Sequence, residues 1–465
     1  MTKPLWTATE IAEALGLTAR ADWNTTGVSI DSRAVKPGDL FIAIAGDRLD
    51  GHKYVKHAFD AGASGAIVHR APKGLDESDN RLLVVNDTMA ALERLGCTAR
   101  NRPAARVVAV TGSVGKTSAK EMLKLALGSF GFCHASEGNL NNHWGAPLSM
   151  ARMPQNTAYA VFELGMSHPG EVRSLAKMAQ PDVAVITRIA PAHTEFFDSI
   201  EAVADAKAEI FEGMSASGVA ILNADDPMLG RLTLAAKVAG VGSILSFGEG
   251  GDADVRLVSV SLDEMGSTVN AEIFGRPLSY RLGAPGRHWV QNSLAVLATV
   301  EALGADVEIA ASVMSTVRPL PGRGERRQLV GGFELIDESY NASPAAVRAA
   351  FETLALAKPK AGGRRIVVLG DMLELGAQAS AEHVDLGQAF IEAKLDCAHA
   401  VGSECKYFMA ALPPSARGYW AEDADELAKS AADIAAAGDI VLVKGSLGMG
   451  MEKVVKALEG TANAT

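Results

Sequence analysis

The segment VVAVTGSVGKTSAKEML at 107–123 passes from an apolar run through a glycine-rich turn into a helix-like stretch. That order suits a phosphate-binding loop, because backbone N–H groups can face an anion and the helix N-terminus adds partial positive charge. Gly112, Ser113, Gly115, Lys116, Thr117 and Ser118 would form the cradle, with Lys116 reaching the β/γ-phosphates and the Thr117 hydroxyl available to Mg²⁺. The loop is a short T-G-S-x-G-K-T form, since Val110 stands where the longer pattern has its first glycine. A turn carrying a surface lysine would have the same composition. The flanking strand and helix favour a nucleotide.

Three residues downstream extend that chemistry. Glu163 ends the strand-like YAVFE, and a carboxylate at the C-terminal end of such a strand is a usual place for Mg²⁺, although a strand-end glutamate can also simply face water. His193 follows the strand-like DVAVITRI, and alone it reads as an ordinary histidine. Lys207 lies in DSIEAVADAKAEIFEGM, a helix predicted to open with Asp198 and Glu201 as a capping box. Its apolar face is Ile200, Val203, Ile210, Phe211 and Met214, and Lys207 falls on that face. Burial would depress its pKa and expose a neutral amine able to add CO₂ as a carbamate, whereas a snorkelling or acid-paired lysine would stay charged.

The elements that must position these residues repeat as strand then helix. Strand-like runs fall at 107–110, 159–163, 182–189, 218–223 and 243–247, which predicts a mainly parallel sheet covered by helices. Residues 254–282 read as an antiparallel patch, followed by a helix at 287–303. Before this lies a small α/β unit with runs at 40–46, 65–69 and 82–85, ending in the break RNRPAA. After the break PLPGRGERR comes a third α/β unit with runs at 334–337, 365–370, 398–402 and 439–445. At about 150 residues per domain, 465 residues also suggest three domains, with expected bounds 1–104, 105–318 and 319–465.

Composition narrows the class. The net charge of −11 disfavours a general nucleic-acid binder. Cys97, Cys133, Cys397 and Cys405 form no C-x-x-C pair and read as thiols of a reducing compartment. No secretory signal and no run of 18 apolar residues is present, so a cytoplasmic protein without membrane insertion is expected.

Taken together, TGSVGKTSAKEML, GNLNNHWGAPL (138–148), ELGMSHPGE (163–171), AHTEFF, AKAEIF (206–211), LNADDP (222–227), GRHWVQNSLA (286–295), PGR (321–323), DESYNASP (337–344), GDMLELG (370–376) and VLVKGSLGMGMEKVV (441–455) resemble the Mur ligase family of ATP-dependent amide-forming enzymes, as does DSRAVKPGDLFIAIAG at 31–46. The resemblance implies a UDP-sugar-binding N-terminal domain, a central ATPase domain and a Rossmann-like C-terminal domain for the incoming amine. It implies ligation of D-Ala-D-Ala to UDP-MurNAc-tripeptide through an acyl phosphate, with ATP and two Mg²⁺, in a monomer. Carried over by residue, Lys116 and the 112–117 backbone would hold phosphates. Thr117 and Glu163 would bind one Mg²⁺, and Glu163, His193 and carbamylated Lys207 a second. Asn292 would lie by the adenine, and Arg323 would reach the γ-phosphate. Ser32 and Arg33 would lie near the uridine diphosphate, and Asn139 and Asn142 near the phosphates or the acceptor carboxylate. Tyr340, Asn341 and Ser446 are candidates for the dipeptide, and either Asp337 or Glu338 for a C-terminal contact to the nucleotide. Val114, Glu338 and Ser343 depart from the family's Asn, Asp and Asn. The D-N-P-R motif expected of the member that adds a single third amino acid is absent, as is the N-K-x-D of guanine-nucleotide switches. Folylpolyglutamate synthetase shares the core but lacks the DSR…PGDLF segment.

Overall fold

The computed structural model describes residues 3–46, 49–76, 78–191 and 195–462. Three α/β domains follow one another, each built on its own sheet. In the first, Gly27–Ser29, Asp39–Ile42, Gly65–Val68 and Leu82–Val84 run parallel in that order. Every residue of Asp39–Ile42 and Gly65–Val68 is buried, as expected of parallel strands covered on both faces. A short antiparallel pair, Trp6–Thr7 with Asn24–Thr25, closes one side.

The central sheet has nine strands, in the order Arg276–Leu282, Gly266–Ile273, Val255–Asp263, Ser243–Gly248, Val219–Asn223, Val183–Ile186, Arg106–Thr111, Tyr159–Glu163 and Cys133–Ala135. From Ser243–Gly248 to Cys133–Ala135 all pairings are parallel, because a helix returns the chain after each strand. The 254–282 patch is antiparallel, as its turn-separated alternation predicts. Helices Lys116–Gly128 and Arg287–Ala302 bury Leu123, Leu127, Leu294 and Leu297 on one face. Glu171–Ala179 and Ile200–Ala208 bury Leu175 and Val203 on the other.

The C-terminal sheet runs Glu325–Gln328, Glu334–Glu338, Ile440–Lys444, Arg365–Gly370, Cys397–Val401, Arg417–Ala421, with only the first pair antiparallel. The structure adds strands that the sequence reading missed and changes one helix cap. Gly27–Ser29 and Cys133–Ala135 are strands of only three residues, too short to show a period. Glu325–Gln328 is a strand inside the segment read as a break, its charged side chains half-buried at a sheet edge. The Lys207 helix is capped by Ser199, whose Oγ accepts the Ala202 N–H at 3.2 Å, and not by an Asp198–Glu201 box.

Candidate active site

Strand Arg106–Thr111 lies inside the central sheet, and its C-terminal end opens into the glycine-rich loop. Gly112 has φ +148°, and a Cβ there would stand 2.0 Å from Thr187 Oγ1. Gly115 has φ +84°, a Cβ there would stand 2.8 Å from Asn292 Nδ2, and it caps helix Lys116–Gly128 without a side-chain hydrogen bond to the first-turn N–H groups. Neighbouring strand ends clamp the loop from outside. Ser113 N–H donates to Arg188 O at 2.7 Å, Thr187 Oγ1 to Val114 O at 2.6 Å, and Ala190 N–H to Ser113 Oγ at 3.0 Å. Asn292 Nδ2 donates to Gly115 O at 3.2 Å, so the side chain expected beside a base rests on the loop backbone. Lys116 Nζ folds back onto Gly112 O at 2.7 Å.

Glu163 ends the adjacent strand with its carboxylate buried against that helix. Its Oε2 accepts Thr117 Oγ1 at 2.8 Å, and its Oε1 accepts Asn141 Nδ2 at 2.8 Å. Thr117 and Glu163 are 3% and 2% exposed, so two hard oxygen donors meet in a site shielded from water. Lys207 is 2% exposed. Burial, and then the Lys116 ammonium, push its pKa well below the usual lysine value. Lys116 is also pushed down, by burial and by Arg323, while Glu163 opposes the shift. The sequence placed Lys207 on the apolar face of its helix, and the structure buries it there.

At the junction with the C-terminal domain, the Arg323 guanidinium lies 3.9 Å over the Tyr340 ring and lines a cleft with Thr117, Ser118, Met122, Trp289 and Arg318. Asp337 and Glu338 divide their work. Asp337 Oδ2 accepts Gly322 N–H at 3.1 Å and Arg327 Nη2 at 2.9 Å, and Oδ1 accepts Ser339 Oγ at 2.6 Å, so this carboxylate is engaged within its own domain. Glu338 Oε2 pairs with Lys444 Nζ at 2.8 Å, and its charge acts on His288 of the central domain, whose pKa burial lowers. Asn341 O also accepts Lys444 Nζ, at 3.0 Å, and Ser446 Oγ accepts Leu373 N–H at 2.9 Å.

The remaining sequence candidates are more dispersed. Asn142 Oδ1 accepts Gly145 N–H at 2.9 Å, and Asn139 is exposed. Ser32 is buried, while Arg33 is 85% exposed and pairs with Asp31 at 2.7 Å. His193 lies outside the described residues. Just beyond it, Glu195 N–H donates to Glu374 O of the C-terminal domain at 3.2 Å. Sequence reasoning passed over Asn141, although it chose two asparagines of the same GNLNN loop. It also passed over Lys120, which is fully buried. Among the described residues Asp371, His383 and Cys405 also cluster, but their polar atoms are engaged. Asp371 accepts the Cys405 N–H at 2.7 Å, and His383 Nε2 accepts Met372 N–H at 3.1 Å with Nδ1 2.7 Å from Ala379 O.

A phosphate-loop sheet flanked by two further α/β domains, with a loop lysine beside a buried carboxylate and an arginine across the domain junction whose charge reaches that lysine, defines a nucleotide-dependent transferase or ligase site. Family models match residues 24–100 as "Mur ligase family, catalytic domain", 110–300 as "Mur ligase middle domain" and 322–447 as "Mur ligase, glutamate ligase domain". A UDP-N-acetylmuramoyl-tripeptide--D-alanyl-D-alanine ligase of Rickettsia prowazekii is 33% identical over 97% of this chain and 99% of its own, and its Escherichia coli namesake is 34% identical over 94% and 95%. A crystal structure of MurF from Acinetobacter baumannii superposes with TM-score 0.85 at 31% identity, covering 98% of this chain and 99% of its own. MurF ligase from Thermotoga maritima in complex with ADP superposes with TM-score 0.78 at 28% identity over 94% and 98%. The chain belongs to the Mur ligase family.

Proposed function

We propose that the chain joins D-Ala-D-Ala to UDP-MurNAc-tripeptide, using ATP and releasing ADP and phosphate, to give UDP-MurNAc-pentapeptide. The observation that carries this reading is the Thr117–Glu163 hydrogen bond at the loop, beside a Lys116 whose ammonium feels the charges of Glu163 and Arg323 and acts in turn on the buried Lys207. The name shared by relatives that align over nearly the whole chain supports the choice of substrates.

In this reading the domains span 1–104, 105–318 and 319–465 and bind the UDP-sugar, ATP and the dipeptide in turn. The acceptor carboxylate attacks the γ-phosphorus of ATP, the bond to the β-bridging oxygen breaks, and ADP leaves. The dipeptide amine then attacks the acyl carbon, the nitrogen loses a proton, phosphate departs, and an amide remains. Two anions meet in the first step, so positive charge must be fixed in place beforehand. Lys116 leaves Gly112 O to reach the β/γ-phosphates, and Arg323, stacked on Tyr340, approaches the γ-phosphate from the domain junction. The cleft beside Ser118, Met122 and Trp289 takes the nucleoside, with Asn292 holding the loop behind it.

The oxygens of Thr117 and Glu163, 2.8 Å apart and buried, fit a hard cation, so these two side chains would hold Mg²⁺. When bound, Mg²⁺ would neutralise the phosphates and the charge developing on them. Lys207, as a neutral amine, can take up CO₂ and lose a proton to give a carbamate, and with Glu163 and His193 it would hold a second ion. Among the described residues no helix is long and apolar enough to cross a membrane, and use of free ATP suits a cytoplasmic enzyme. The test is phosphate release from ATP with UDP-MurNAc-tripeptide and Mg²⁺, with and without D-Ala-D-Ala. Dipeptide-dependent release is expected. Release that depends instead on a free amino acid and UDP-MurNAc-dipeptide would refute the assignment.

A further inference from the structure

Lys120 follows Lys116 by one helical turn and is 0% exposed. Isolating a lysine from water is costly unless its donors are satisfied. Its Nζ donates to Ser136 O at 2.6 Å and Gly138 O at 3.4 Å, and lies 3.0 Å from Glu121 Oε1. A methionine would fill a similar volume without that desolvation. What the ammonium adds is a bond to two carbonyls at the start of one turn.

That turn leads to the proposed metal ligand by two routes. Ser136 Oγ accepts the Glu163 N–H at 3.3 Å, fixing the backbone of the carboxylate. Asn141 Nδ2 donates to Glu163 Oε1 at 2.8 Å, leaving Oε2 for Thr117. The fit is close on the far side as well. Gly165 N–H donates to Asn141 O at 2.8 Å, and a Cβ on Gly165 would lie 2.9 Å from the Asn141 amide.

We propose that Lys120 is a positioning residue, fixing the 136–141 turn so that Asn141 holds the Glu163 carboxylate aimed at Thr117. Lys116 and Lys120 thereby divide the labour of one helix, the first for phosphate and the second for the geometry of the carboxylate. The metal consequence rests on the function proposed above, whereas the coupling of Lys120 to Asn141 can be measured without any ligation.

The experiment is binding of a fluorescent ATP analogue with and without Mg²⁺, using the full chain and the variants Lys120→Met, Asn141→Ala and both together. Circular dichroism and thermal melting report on folding. Both single variants should lose the Mg²⁺-dependent gain in affinity by about ten-fold or more, the range for residues that orient a metal ligand, while binding without Mg²⁺ changes little. The double variant should be within about two-fold of the weaker single one, because both act on one carboxylate. Equal losses with and without Mg²⁺ in Lys120→Met, or single-variant losses that multiply in the double variant, would overturn the proposal. Asn141 is only half-buried, so Asn141→Ala remains decisive if Lys120→Met does not fold, and an unaltered Mg²⁺ effect in it would also overturn the proposal. A parent protein whose nucleotide binding gains nothing from Mg²⁺ would instead refute the metal reading of the whole site.

Discussion

Lys207 shows how far one residue can be read. The helical period put a lysine on an apolar face, and the structure buries it with Lys116 as the charged neighbour that further disfavours its protonation. Because the depressed pKa leaves the amine neutral at a lower pH than an ordinary lysine, carbamylation should become available at a lower pH than for an exposed lysine. Lys207→Ala should lower kcat by about a hundred-fold or more, the scale on which charge-stabilising groups act. Short carboxylic acids should restore part of it by supplying the missing anion. A ¹³C carbamate resonance from bicarbonate-treated parent protein, absent in the variant, checks the same point without turnover. Full activity of the variant would remove Lys207 from the site. By contrast, Asn141 and Lys120 were invisible as site residues. An asparagine beside two others carries no period, and a lysine among KEMLK looks like the solvated side of a helix until the packing shows its burial.

Elements were legible where burial imposes a period or a continuous apolar run. Tyr159–Glu163 and Arg365–Gly370 match the sequence reading residue for residue, being long strands buried on both faces. Gly27–Ser29, Cys133–Ala135 and the edge strand Arg417–Ala421 escaped it. The last exposes Arg417, Gly418, Tyr419 and Trp420, so no apolar alternation marks it. That edge is held by a histidine from its neighbour: His399 Nδ1 accepts the Tyr419 N–H at 3.0 Å, and burial pushes its pKa down to about 4. His399 must stay neutral to accept, while the unfolded chain protonates near the ordinary value of about 6.5. Its contribution is therefore complete above about pH 6.5 and is lost as pH falls toward about 4, reaching about 2 kcal/mol of destabilisation at pH 5. Thermal melts between pH 7.5 and 5 should show this as a falling C-terminal-domain transition. His399→Gln, which keeps an acceptor but cannot titrate, should be less stable at pH 7.5 yet show a flatter pH dependence. An equally steep slope in the variant would assign the acid sensitivity to another group.

At the scale of the molecule the two domain junctions differ in kind. The N-terminal and central domains share a core, in which Trp6, Leu40, Leu92 and Leu95 pack with Leu148 and Ala151. Trp6 Nε1 donates to Ala151 O at 2.8 Å, and Arg102 stacks 3.6 Å over the Trp6 ring while its Nη1 and Nη2 bind Leu5 O and Met153 O. Breaking that junction would expose a buried tryptophan and strand several backbone carbonyls, so the two should unfold together. The C-terminal cores, by contrast, draw only on their own residues, from Leu329 to Leu458. Hydrogen bonds link the C-terminal domain to the central domain, such as Lys358 N–H on Glu264 Oε2 at 3.3 Å and the Arg326 guanidinium on Glu264 O. Calorimetry should therefore resolve two transitions, one for the first two domains and one for the third. A nucleotide held by both Lys116 and Arg323 binds only while both units are folded. At 100 times its dissociation constant it adds about 2.7 kcal/mol, and this stabilisation should appear in whichever unit melts first, drawing the two transitions together. Arg323→Ala should leave the apo transitions in place and remove that convergence. A nucleotide that raises only the transition of the first two domains, in parent and variant alike, would show that Arg323 does not reach it.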